Sequence, residues 1–100
     1  MAIENVGTKI IAVSFDPLKR ERALTERGLD FAHAPGLFAG RTLTLPDEQF
    51  DYGESRFQTY GFLAGRVVMV VWTPRDDGRH VISMRHCHER ESRRVLDRMD

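Results

Sequence analysis

This 100-residue chain has one cysteine, almost no lysine, no net charge and no apolar run long enough to cross a membrane. The lone Cys87 rules out an internal disulfide and points to a reducing compartment. A membrane-spanning helix needs roughly 20 apolar residues in succession, and no stretch comes near that. Met1 to Thr8 lacks the basic and apolar regions of a secretion signal, so a cytoplasmic protein without a membrane partner is expected. Fifteen basic residues cancel fifteen acidic ones, which removes any global electrostatic argument for nucleic-acid binding. Thirteen of the fifteen basic residues are arginine, leaving only Lys9 and Lys19. Arginine grips phosphate with a planar fork of donors where lysine offers a point charge. The skew suits a phosphate site, and a coding sequence rich in G and C produces it equally well.

The residues that are present describe one domain. A 41% hydrophobic and 30% charged composition is ordinary for a folded protein. Residues 1–100 suffice for a single modest core, with Met1 to Thr8 as a loose arm. The most apolar run is Arg66 to Thr73, rich in β-branched residues and closed by Gly65 and Pro74. It reads as the central strand of a sheet. Lys9 to Phe15 reads as a first strand. Asp16 and Pro17 then cap and open a helix that runs to Arg27 and stops at Gly28. Asp30 starts a second helical piece, Phe31 to Phe38, which Pro35 and Gly36 should shorten or break. Arg41 to Leu45 alternates like a strand, and Pro46 to Gly53 is a polar connection.

Three strands follow as a meander: Glu54 to Leu63, Arg66 to Thr73 and Arg79 to Arg85. Ala64-Gly65 serves as a two-residue turn, and Pro74 to Gly78 as a longer one. Glu89 to Met99 closes the chain as a helix with Ser92, Val95, Leu96 and Met99 on one stripe. The class is therefore α+β.

A tight turn at Ala64-Gly65 pairs Leu63 with Arg66 and Phe57 with Trp72. Pairing Thr73 with Arg79 across the second turn sets Val70 opposite Ile82. Side chains alternate between faces, so one face collects Phe57, Thr59, Leu63, Val68, Val70, Trp72, Ile82 and Met84, with His80 at its edge. The other collects Arg56, Gln58, Tyr60, Phe62, Val67, Met69, Val71, Thr73, Arg79, Val81, Ser83 and Arg85. That second face has an apolar middle with arginines, a tyrosine and an amide at its margins. It could hold an anionic planar ligand such as RNA, meet a partner protein, or be covered by the last helix. The second register decides which residues of the last strand share that face, because a slip of one residue moves every side chain across.

Read together, these segments resemble the BrnT family, toxins of bacterial type II toxin–antitoxin pairs with a fold similar to RelE-type ribonucleases. The carrying motifs are Phe15-Asp16-Pro17-Leu18-Lys19, Gly28 to Ala34 leading to Leu37-Phe38, and Glu54-Ser55-Arg56 with Gly61. Gly65-Arg66, Val70-Val71-Trp72-Thr73 with Arg75, and Ile82-Ser83-Met84-Arg85 with Glu91 complete them. The resemblance covers residues 13–96. It implies an antiparallel sheet of four to five strands, two N-terminal helices packed on one face and a short C-terminal helix.

It also implies RNA cleavage without a metal or other cofactor, the RNA's own 2′-hydroxyl attacking the phosphate. The expected partner is a BrnA-like ribbon-helix-helix antitoxin, bound in a hetero-oligomer. Such a reaction needs a base, cations around the phosphate and an acid for the leaving oxygen. Arg85, Arg56 and Lys19 match the family motifs as cations, and Arg79 and Arg27 are candidates by position. Glu54 is a candidate base or a carboxylate that orients Arg56. His86 and His88 are further candidates, as histidine is a common general acid or base. Tyr60, Gln58 and Ser83 are candidate RNA contacts, and Trp72 is expected in the core.

His86-Cys87-His88 lacks the second pair a zinc site requires, so no metal site is expected and helix capping is the better reading. His33 is expected at the surface. The family's Lys-His-Gly after the first helix is Glu26-Arg27-Gly28 here, its Ala after Ile-Ser is Met84, and Val95 replaces a tyrosine. Those departures leave an alternative, a catalytically degenerate toxin fold that acts as a binding module in a protein or DNA-regulatory complex.

Overall fold

Each helix starts and stops where side-chain chemistry permits it. In the computed structural model, which describes residues 12–47 and 53–99, helix α1 spans Pro17–Arg27. Asp16 caps it by accepting from the Leu18 amide at 2.9 Å, and Gly28 ends it at φ 69°. Asp30 plays the same capping role for a 3-10 turn over Phe31–His33, which passes into α2, Ala34–Ala39. The helical piece expected around Pro35-Gly36 is thus short and two-part. Arg20 holds Asp30 with two bonds of 2.7 and 3.0 Å, tying α1 to that turn. This grip, with the Ala32 amide, lowers the Asp30 carboxyl to about 2. The last helix, α3, runs Glu89–Arg98, and His88 caps it by accepting from the Glu91 amide.

Five strands form one sheet in the order β1-β5-β4-β3-β2. They are β1 Val13–Phe15, β2 Leu43–Pro46, β3 Phe57–Leu63, β4 Arg66–Arg75 and β5 Gly78–His86. Residues 9–11 of the expected first strand lie outside the described residues, as do the arm expected at Met1 to Thr8 and much of the Pro46 to Gly53 connection. The sheet is mixed rather than antiparallel throughout, since β1 lies parallel to β5. The Arg79 amide donates to the Ala12 carbonyl at 2.9 Å. Gly78 makes that approach possible, because any Cβ there would meet the Ala12 backbone. No helix among the described residues is long and apolar enough to cross a membrane.

Both faces of the sheet are covered, as the two core clusters record. Ala23 of α1, Phe31 of the 3-10 turn, and Ala34 and Leu37 of α2 pack with Val68, Val70, Trp72, Val81 and Met84. Gly61 lets α2 sit close, since a side chain there would collide with Leu37. On the opposite face Val95 of α3 and Met99 at its C-terminal cap pack with Tyr60, Val67, Met69 and Cys87. The expected α3 stripe holds except at Leu96, which is 40% exposed.

The first hairpin has the expected register, Leu63 opposite Arg66 and Phe57 opposite Trp72. Ala64 and Gly65 both take positive φ, 51° and 77°, as a two-residue turn matching the strand twist requires. The second hairpin departs from expectation. Its turn is only Asp76-Asp77, β4 continues through Pro74 and Arg75, and Thr73 lies opposite His80 rather than Arg79. A bulge between Val71 and Trp72 leaves Ile82 unopposed, so Val70 faces Met84. Beyond the bulge the slip is two residues, and Ser83, Met84 and Arg85 keep their expected faces. Before it the slip is one, and Arg79, His80 and Val81 exchange faces. Val81 is fully buried in the helix-side core.

Candidate active site

The candidate residues fall into four places. On the α3 side of the sheet, β5 presents Arg85 opposite Met69, with Tyr60 as the next partner on β3. Arg85 is held by α3, donating to both carboxylate oxygens of Glu91 at 2.8 Å. The guanidinium lowers the Glu91 carboxyl to about 2. Burial, and then the Glu91 charge, raise both Tyr60 above its usual value and the Cys87 thiol to about 11. Tyr60 also lines a cavity of about 210 Å³ with Leu43, Leu45, Glu91, Arg94, Val95 and Arg98.

The second place lies farther along the same face, beyond the bulge. Here β5 presents His80, flanked by Thr73 of β4 and Ser14 of β1. Ser14 Oγ lies 2.9 Å from His80 Nδ1. The Thr73 hydroxyl donates to the Ser55 carbonyl at 2.6 Å and anchors the segment that enters β3. That segment carries Glu54, whose carboxylate lies 3.7 Å from Arg56 and 4.0 Å from Arg75. Burial lowers the pKa of His80, and the positive charges of Arg75 and Lys19 lower it further. Glu54 and Asp16 oppose this more weakly. One half-buried imidazole therefore sits within the fields of Arg75, Lys19, Glu54 and Asp16.

The third place is the groove between α1 and the edge of β5, lined by Lys19, Arg22, Glu26, Arg27, Ile82 and Ser83. Arg27 donates to the Met84 carbonyl at 2.7 Å, satisfying a strand edge that β1 is too short to reach. Arg27 is thereby committed to structure, while the charge of Lys19 acts on His80. The fourth place is a correction. Arg79 does not share the face of Arg56 and Arg85; it lies over the rings of Phe38 and Trp72, 4.3 and 4.6 Å from their centroids. Desolvation there lowers its pKa.

The structure thus brings Glu54 and Arg56 together, with Lys19 near enough to act on the same histidine, and sets Arg85 with Tyr60 apart from them. Two rows separate His80 from Arg85 along β5, roughly 13 Å at strand spacing. Gln58 and Ser83 oppose Val71 from either side, in the row between. His86 lies opposite Val68, on the helix side, with its Nδ1 buried and lacking a hydrogen-bond partner among the described residues. His88 caps α3, His33 is exposed, and Trp72 is core, its indole donating to Thr59 Oγ1 at 2.7 Å. Among the described residues, no cluster of three or more His, Cys, Asp or Glu side chains could hold a metal ion.

Sequence reasoning missed His80, Ser14 and Arg75 as members of one constellation. The signal was the apolar doublet Val81-Ile82, which breaks the alternation of β5 and marks the bulge. No curated protein matches this chain. The family model described as ribonuclease toxin, BrnT, of type II toxin-antitoxin system matches residues 15–91. That span takes in every element except most of β1 and most of α3, and the chain belongs to the BrnT family of ribonuclease toxins.

Proposed function

We propose that this chain cleaves messenger RNA without a metal, by attack of the 2′-hydroxyl on its own phosphodiester, at the constellation of Lys19, Glu54, Arg56 and Arg75. The observation that carries this reading is the Glu54 carboxylate, 3.7 Å from Arg56 and 4.0 Å from Arg75, with Arg75 and Lys19 both acting on the half-buried His80 of β5. Phosphoryl chemistry of this kind asks the protein chiefly for positive donors fixed in advance around the phosphate. Glu54 lies close to two of the arginines, so it acts by orienting them rather than by taking a proton. Arg85, held by Glu91 and in the same row as Tyr60, contributes as a fixed charge toward a neighbouring part of the RNA, with Gln58 and Ser83 along the strand path between. A BrnA-like ribbon-helix-helix antitoxin silences the toxin by covering this face.

The test is cleavage of single-stranded RNA by purified protein in the presence of a chelator. The expected products carry 2′,3′-cyclic phosphate and 5′-hydroxyl ends, and Arg56→Ala slows the reaction at least about tenfold while leaving the fold intact. In cells, induction arrests growth and Arg56→Ala or Arg85→Ala relieves the arrest. Folded protein that binds its antitoxin but leaves RNA uncut would instead favour the binding-module reading, for which the engagement of Arg85 by Glu91 is the supporting observation.

A further inference from the structure

The cations account for the phosphate, but the reaction also needs a group that removes the 2′-hydroxyl proton, and Glu54 is poorly suited to it. We propose that His80 is that general base, with Ser14 fixing the ring so that Nε2 presents its lone pair to the RNA. The proposal rests on the ribonucleolytic reading above and goes beyond it by naming the proton acceptor.

Three observations carry it. His80 lies on the same face as Gln58 and Ser83 and beside the carboxylate–arginine cluster, a placement produced by the β5 bulge. Its ring is oriented by a partner on a different strand, since Ser14 of β1 stands 2.9 Å from Nδ1. When Nδ1–H donates to Ser14 Oγ, Nε2 is the nitrogen left to accept a proton. Lastly, the charged groups that act on the ring are known from each element around it. Burial disfavours the imidazolium most, and Arg75 from β4 and Lys19 from α1 add to this, while Glu54 from the approach to β3 and Asp16 from the α1 cap favour it more weakly. The ring is therefore neutral near pH 7, the form a base requires.

The step balances as follows. Nε2 takes the 2′-hydroxyl proton, the 2′-oxygen forms a bond to phosphorus, and the bond from phosphorus to the 5′-oxygen breaks. The 5′-oxygen takes a proton from solvent, and His80 returns its own proton to solvent. Lys19, Arg56 and Arg75 hold the phosphate oxygens as charge gathers on them.

The experiment measures single-turnover cleavage of a short single-stranded RNA from pH 4.5 to 8.5 with wild type, His80→Gln, His80→Ala and Ser14→Ala, each checked by thermal melting. Wild type should show a rising limb with its midpoint below the ordinary histidine value of about 6.5. His80→Gln should lose about 100-fold or more at pH 7 and lose that limb. Added imidazole should restore part of the rate of His80→Ala, an effect a packing role cannot produce. Ser14→Ala should slow cleavage several-fold and displace the limb. Binding of an RNA with a 2′-deoxy residue at the cleavage site should stay within about threefold for His80→Gln. A folded His80→Gln that keeps the wild-type rate and limb overturns the assignment and leaves the ribonuclease reading standing. Wild-type protein that leaves RNA intact at every pH overturns both.

Discussion

The two hairpins of this sheet share strand β4 and differ in what they can tolerate. The β3–β4 hairpin turns on Ala64-Gly65, keeps an unbroken register over seven residue pairs, and supplies the core. The β4–β5 hairpin turns on Asp76-Asp77, loses register at Val71 and Trp72, and supplies the residues that surround the candidate site. A regular ladder repeats one facing rule along its length, whereas a bulge changes the rule midway. Here that change puts Arg79 over the aromatic rings on the helix side and turns His80 to the other face.

Breaking the core hairpin should have the largest effect. Trp72→Ala removes a buried indole, leaves Thr59 Oγ1 with Thr44 alone, and takes one of the two rings from under Arg79. The expected cost is about 3–5 kcal/mol, read as a lower denaturant midpoint. Glycine substitutions at Gly78, where β5 begins, and at Gly65, in the first turn, then compare the hairpins directly. At Gly78 a methyl group would drive into the Ala12 backbone, so Gly78→Ala must push β1 off β5. A loss of about 1–3 kcal/mol is expected, together with slower cleavage as Ser14 leaves His80. Gly65 has φ 77° and open space around it, so Gly65→Ala should cost about 1 kcal/mol of backbone strain and spare activity. Equal activity in the two variants would detach the site from the parallel edge.

The smallest effect should come from Glu91→Gln, which weakens the clamp between β5 and α3. The Glu91 carboxyl lies at about 2 in the folded protein against an ordinary value near 4.5. Its contribution is therefore complete above the ordinary value and lost as pH falls through about 2. Arg85 is 41% exposed, so solvent screening limits the loss at neutral pH to about 0.5–1 kcal/mol. Melting curves of wild type and variant should converge as pH approaches 2.

Most of the fold was legible because it rests on local chemistry. Asp16 before Pro17 with Gly28 beyond gave α1, Pro35-Gly36 gave the broken second helix, and Ala64-Gly65 gave the first register. The parallel docking of β1 was not legible, since it depends on Gly78 meeting Ala12 across more than sixty residues. For the site, residue types were readable but positions on β5 were not. A single unopposed residue, Ile82, decides whether Arg79 or His80 joins Arg56, and alternation alone cannot locate it. The arginines that the sequence offered as equals are set apart by their partners, Glu91 for Arg85, the Met84 carbonyl for Arg27 and two aromatic rings for Arg79.

The Cys87 thiol, 7% exposed and raised to about 11 by burial and the neighbouring Glu91, has a practical consequence. At neutral pH it stays protonated, and alkylating reagents act on thiolates. The native protein is thus silent toward such reagents, and a cysteine introduced on the surface would be the one that reacts. Dyes or spin labels could then report on RNA and antitoxin docking without first deleting the native cysteine from beneath α3.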